Sequence, residues 1–263
     1  MNPFINIAVN AARQAGNFIM RSYARPDLIK VSTKQPGDFV TDVDKKSEKM
    51  IIDTLLSAYP AHSILSEECG QMQNTNKEFI WIIDPIDGTT NFIHGFPHFC
   101  ISIALQVRGQ IEAGVIYDPL KEDLFTAARG EGALKNDRRI RVSQHKGLQD
   151  ALLSFGAPGH KTDAQINQHF EFIKALTKKG VEVRRTGSSA LNLAYVASGQ
   201  LDACWKFGLK PWDLAAGILL IKEAGGIVTE PDGAENYLKS GNVVAGNPRL
   251  FKELVKEVRV AYQ

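Results

Sequence analysis

The chain has 263 residues, 44% hydrophobic and 23% charged, which is enough to bury a substantial core in one large domain or two closely packed halves. A net charge of +2 without a dense Lys/Arg run gives no nucleic-acid footprint, and Asp137-Arg138-Arg139-Ile140-Arg141 reads as a solvated turn. No window offers the ~18 apolar residues of a membrane span. The first residues lack a basic segment followed by an apolar one. Cys69, Cys100 and Cys204 are odd in number and form no CxxC pair, so the expectation is a cytoplasmic protein with reduced thiols, without a secretory signal, disulfide framework or zinc site.

Asn2-Pro3 opens an amphipathic helix to about Ala24, with Ile5, Ala8, Val9, Ala12, Ala15, Ile19 and Met20 at helical spacing. Gln35-Pro36-Gly37-Asp38 breaks the chain. A second helix is expected over 41–58, with Met50, Ile51, Thr54, Leu55 and Ala58 on one face. Ser63-Ile64-Leu65 reads as a short strand ending at Glu67-Glu68, and 79–83 as a buried strand. CISIALQV, IEAGVIYD and EDLFTAA form an antiparallel meander with turns at Arg108-Gly109-Gln110 and Asp118-Pro119; Gly130 and Gly132 mark another turn. Helices over 162–179, 188–198 and 213–224 then alternate with strands over 181–185, 201–205 and 226–229. A strand over 242–245 and a helix over 248–262 close the chain. This order predicts a layered α/β sandwich with a more antiparallel N-terminal half and an alternating C-terminal half.

The string WIIDPIDGTTNF, residues 81–92, carries an apolar strand straight into Asp84 and Asp87. A strand ending in acids holds carboxylates at fixed positions, and carboxylates, carbonyls and hydroxyls in one turn suit a hard cation such as Mg²⁺. Pro85 stiffens the turn, so the Ile86 carbonyl can face the same ion. Gly88-Thr89-Thr90 offers backbone N–H groups at the start of a short helix, a cradle for phosphate. Cation and anion sites in one segment point to metal-assisted phosphoryl chemistry. Taken alone, the string also reads as a tight surface turn. It lacks the acid spacing of a calcium loop, and its acids stand one residue too far apart for a haloacid-dehalogenase-type phosphatase. His94 and His98 have no Cys or His partner at ligand spacing and read as packing residues.

These residues resemble the first signature of the inositol monophosphatase family, PWDLAAGILLIKEAGG over 211–226 resembles the second, and Ser66-Glu67-Glu68 is similar to the family's acidic metal-binding segment. Their order and spacing match as well, over nearly the whole chain, and the bacterial cytoplasmic members are the most similar. The resemblance implies an αβαβα five-layered sandwich, a single domain whose halves meet near residue 145, a homodimer, and Li⁺-sensitive, Mg²⁺-dependent hydrolysis of a small phosphate monoester, inositol 1-phosphate first. It implies two or three Mg²⁺ ions held by Glu67, Asp84, Asp87, Asp213 and the Ile86 carbonyl. Thr89, with Asp44 as its acidic partner and Glu67 beside the metals, would activate a water for in-line attack. Asp87, Gly88, Thr89, Thr90 and Asp213 would surround the substrate, Lys34 the phosphate, and Gly187, Ser188 and Ser189 the substrate hydroxyls; Arg184 would approach the substrate or else serve at the surface or a subunit interface. Asp213, right after Trp212, also reads as a helix N-cap.

One position departs from the family. Lys206 stands where inositol-selective members usually carry a glutamate that accepts hydrogen bonds from hydroxyls, and lysine can only donate. The plainer expectation is a lysine at the pocket rim pointing into water; the alternative is a cation that pairs with a second phosphate or carboxylate. A fructose-1,6-bisphosphatase or nucleotide 3′-phosphatase of the same fold therefore stays open. So does a partner of RNA or transcription factors with a secondary phosphatase site, although nothing in the sequence points to nucleic acid.

Overall fold

The computed structural model describes residues 2–35, 38–156 and 162–262, with the side chains of Lys34, Gln35 and Asp38 outside that description. The expectation for Lys34 therefore lies outside the described residues. Helix α1 (Pro3–Tyr23) starts where the Asn2 side chain accepts from the Phe4 N–H, and its Ile5, Ala8, Ala12, Ala15 and Ile19 are buried. Strands β1 (Val31–Gln35) and β2 (Asp38–Thr41) pair antiparallel across the expected chain break. Helix α2 (Asp42–Ala58) is capped by Thr41, whose side chain accepts from the Val43 and Asp44 N–H groups while Asp44 reaches back to the Thr41 N–H.

The buried face of α2 differs from the expected one. Ile51 and Leu55 are buried, but Ala58 is exposed, and the stripe runs on through Asp44, Ser47 and Glu48. Apolar periodicity misses this face because its N-terminal half is polar and serves the site described below.

The next strands are β3 (His62–Ser66), β4 (Gly70–Met72) and β5 (Asn76–Asp87), then the short helix α3 (Thr89–Ile93). The meander β6 (Cys100–Val107), β7 (Gln110–Asp118) and β8 (Asp123–Ala128) follows, continued by β9 (Gly132–Lys135) and β10 (Arg138–Arg139). They form one eight-stranded sheet in the order β10-β9-β8-β7-β6-β5-β3-β4. Trp81, Ile83, Ile101 and Ile103 pack with α1 and α2, whereas Ile82, Ala104 and Ile116 pack into the opposite layer. With both faces covered, the central strands read as unbroken apolar runs.

The C-terminal elements are β11 (Leu152–Phe155), α4 (Asp163–Lys178), β12 (Glu182–Arg184), α5 (Ser189–Ala197), β13 (Ala203–Lys206), α6 (Pro211–Glu223), β14 (Ile227–Thr229), α7 (Tyr237–Ser240), β15 (Val243–Gly246) and α8 (Pro248–Tyr262). The second sheet runs β12-β11-β13-β15-β14. Helices α5 and α6 lie between the two sheets, and α4 and α8 cover the outer face of the second. Helix α6 presses so closely on β7 that a Cβ on Gly114 would stand 3.0 Å from Ala216 Cα. The layers are thus helices, sheet, helices, sheet, helices: the expected αβαβα sandwich. The elements missed in sequence, β1, β2, β4, β9, β10, β11 and α7, are too short to show a period. Among the described residues no helix is long and apolar enough to cross a membrane.

Candidate functional site

Strand β5 does not stop at its first acid. It runs on to Asp87, and its pairing with β6 slips: Asp84 faces Ser102 and Asp87 faces Cys100, three steps against two. In a regular strand these two acids would point to opposite faces, since side chains alternate. The extra residue of the bulge brings both carboxylates to one side. The Ile86 N–H donates to Asp84 Oδ1 at 3.0 Å, which fixes the turn between them. Gly88 follows with φ +106°, and a Cβ there would also crowd the His98 carbonyl at 3.1 Å, so glycine is needed to pass from strand to α3.

Helix α6 brings the third acid from the other half of the chain. Asp213 is its third residue, not its N-cap; Lys210 holds the cap position and its N–H donates to Asp213 Oδ2 at 2.7 Å. Asp84, Asp87 and Asp213 present carboxylate oxygens within 4.8 Å of one another. Glu67, just past β3, is tethered by its N–H to the Ile83 carbonyl at 3.2 Å. It stands outside that 4.8 Å group and acts on it by charge. Burial first, then the charges of Glu67, Asp87 and Asp213, push Asp84 well above the usual carboxylate range. Burial first and then Asp87 push Asp213 up to about 7.

Beside the cluster, Thr89 Oγ1 lies 3.0 Å from Asp44 Oδ1 and 3.1 Å from the Ile86 carbonyl oxygen. Asp44 is fully buried, and its other oxygen accepts from the Thr41 N–H at 2.8 Å and the Thr41 hydroxyl at 2.5 Å. Burial raises its pKa against these hydrogen bonds.

The N-terminus of α5 meets the cluster, but its donors go to Asp87. The Ser188 hydroxyl and the Ala190 N–H each donate to Asp87 Oδ2 at 2.6 Å. Ser188 is buried, Ser189 half-buried and Gly187 exposed with φ +90°. The Ser188 hydroxyl, donating to Asp87, orients that carboxylate.

The family model for the inositol monophosphatase family matches residues 1–263. The chain belongs to this family. Nus factor SuhB of Escherichia coli (strain K12) is 47% identical over 259 residues, 98% of this chain and 97% of that protein. The crystal structure of extragenic suppressor protein suhB from Bartonella henselae superposes with a TM-score of 0.94 at 40% identity, covering 98% of this chain and 99% of that one. A Thermotoga maritima IMPase superposes with a TM-score of 0.89 at 33% identity, covering 99% and 98%.

Within this family fold, the plainer expectation for Lys206 fails. Lys206 does not point into water: it is 3% exposed, because β13 is a central strand covered on both faces. Arg184 sits exposed on edge strand β12, ion-paired with Glu182 at 3.1 Å, in keeping with the surface alternative. Its neighbour Arg185 is the arginine whose charge reaches Lys206. Thr90 is exposed. His98 is buried 3.3 Å from Asn192 Oδ1 and His94 is exposed, consistent with packing roles.

Two residues escaped sequence reasoning. Glu48 of α2 accepts from the Ser66 hydroxyl and, through the same oxygen, from the Glu68 N–H at 2.9 Å and the Cys69 N–H at 3.2 Å. It ties the turn that carries Glu67 to α2. Asn91 donates to the His98 and Thr186 carbonyls at 2.7 and 2.8 Å and so locks α3 to the approach of α5. No sequence signal marks Glu48, because the N-terminal half of its buried helix face is polar.

Proposed function

We propose that the protein is a Mg²⁺-dependent phosphatase of small phosphate monoesters, with inositol 1-phosphate as the leading substrate. The observation that carries this reading is the convergence of Asp84, Asp87 and Asp213 beside the Thr89–Asp44 hydrogen bond. Crowded carboxylates repel one another, and a divalent cation relieves that repulsion. Their all-oxygen donor set, with Glu67 and the Ile86 carbonyl alongside, fits Mg²⁺ better than zinc. Bound there, Mg²⁺ supplies Lewis acidity at the phosphoryl group and lowers the pKa of a water.

The chain's own residues do the rest. Thr89 donates its hydroxyl proton to Asp44, which leaves its oxygen lone pairs free to accept a proton from the attacking water. Asp44, buried and held by Thr41, is the base behind it. Asp87, fixed by Ser188 and Ala190, keeps its second oxygen turned toward the cluster. The first N–H groups of α3 are the donors for the phosphate.

Purified protein should release phosphate from inositol 1-phosphate with Mg²⁺, fall silent with EDTA, recover incompletely with Zn²⁺ and be inhibited by Li⁺. Full turnover in metal-free buffer would overturn this reading. By family likeness the protein acts as a homodimer in the cytoplasm, which sedimentation and fractionation test. The Escherichia coli relative, a Nus factor by name, favours a second reading: a partner of RNA or transcription factors whose phosphatase site is secondary. Pull-downs with wild type and Asp87→Asn separate the two, since a binding role survives loss of the metal site.

A further inference from the structure

Lys206 ends β13, and strand alternation sets it on the same face as Cys204, which packs between the two sheets, while Trp205 packs on the outer face. Its stem runs along Gly156, where a Cβ would stand 3.1 Å from Lys206 Cγ. Burial holds its ammonium below the usual lysine range, the charges of Cys204, Asp87 and Asp213 pull it up, and that of Arg185 pushes it down. Among the described residues it makes no side-chain hydrogen bond or close ion pair.

A buried ammonium without a close partner is costly. Asp87 and Asp213 offset that cost at a distance while their charge is free. A divalent cation held by the same two carboxylates would take up that charge, and the repulsion from Arg185 would remain. An anion bound at this place would restore the balance of charge. A glutamate here would accept from substrate hydroxyls; a lysine cannot. We propose that Lys206 and Arg185 form a subsite for a second anionic group on the substrate, a phosphate or a carboxylate. The site then prefers phosphate monoesters that carry another acid group over phosphates of neutral polyols. The inference rests on the phosphatase reading above and refines its substrate class.

The test compares wild type, Lys206→Met, Lys206→Glu and Arg185→Gln on inositol 1-phosphate, fructose 1,6-bisphosphate and 3-phosphoglycerate. Both kcat/KM with Mg²⁺ and equilibrium binding by calorimetry, with Ca²⁺ replacing Mg²⁺, are measured. In Lys206→Met the preference for a doubly acidic probe over inositol 1-phosphate should fall about tenfold, the size of one charge-assisted contact, and mainly through KM. Lys206→Glu should push it further toward inositol 1-phosphate. Arg185→Gln, at an exposed position that tolerates substitution, should lower the preference roughly threefold, as a more solvated charge would. A change confined to 3-phosphoglycerate identifies a carboxylate, and one confined to the bisphosphate identifies a phosphate. Unchanged ratios in Lys206→Met and Arg185→Gln would overturn the subsite and leave Lys206 a counter-charge for Asp87 and Asp213. If Lys206→Met fails to fold, the Arg185→Gln ratio decides. Wild-type protein that hydrolyses none of the probes would refute the phosphatase reading, and the binding ratios would still decide the subsite.

Discussion

Asp87→Asn is the most direct challenge to the proposed mechanism. The substitution keeps shape and removes one negative charge. Oδ2 of Asp87 accepts from the Ser188 hydroxyl and the Ala190 N–H, both at 2.6 Å. Because Ala190 N–H can only donate, an asparagine must present its carbonyl oxygen there and turn its NH₂ toward Asp84 and Asp213. A donor then stands where an oxygen faced the metal. Removing one preorganised electrostatic element costs roughly 10²–10³ in kcat, and the reversed polarity places this case at about 10³-fold or more. The fold should survive. Weaker hydrogen bonds to a neutral acceptor cost ~1 kcal/mol each, and relief of the repulsion that raises Asp84 and Asp213 offsets that loss. Phosphate release gives kcat, and thermal unfolding with and without Mg²⁺ gives the rest. Wild type should gain stability as Mg²⁺ binds, by RT ln(1 + [L]/Kd), and the variant should gain much less. Near-wild-type kcat with the same Mg²⁺ dependence would refute the ligand assignment.

Thr89→Ala removes the hydroxyl between Asp44 and the Ile86 carbonyl; kcat should drop about 10²-fold with KM nearly unchanged, as steady-state kinetics on inositol 1-phosphate will read. Glu48→Gln weakens the acceptor that holds the Glu67 turn; the Mg²⁺ concentration for half-maximal activity should rise roughly tenfold with kcat at saturating Mg²⁺ preserved, the pattern of a residue acting through a ligand. Gly88→Ala forces a side chain into φ +106° against the His98 carbonyl; stability should fall by about 2 kcal/mol, measured by urea unfolding, and an unchanged midpoint would contradict the strained strand-to-helix turn.

Much of this protein is local and therefore written in its sequence. The 3.6-residue period of α1, the apolar runs of β5 to β7 and the periods of the alternating helices and strands after residue 162 are each set by neighbouring residues, and the structure follows them closely. The acids of 81–92 were legible for the same reason, since one short segment carries Asp84, Asp87, Gly88 and Thr89. What needed the tertiary structure depends on neighbours far along the chain. A pairing slip against β6, invisible in β5 alone, puts Asp84 and Asp87 on one side. Helix α5 reaches back to hold Asp87 through Ser188, a residue that reads from sequence as a substrate contact. Glu48 supports Glu67 across the gap between α2 and β3, where no periodicity could point. Lys206 reads as a solvated charge by residue type and is buried because both faces of β13 are covered. Its burial beside Asp87, Asp213 and Arg185 gives the position its proposed meaning. Residue chemistry named the candidate atoms; packing decided which of them meet, because contacts between distant elements follow from layer stacking and strand register and not from local pattern.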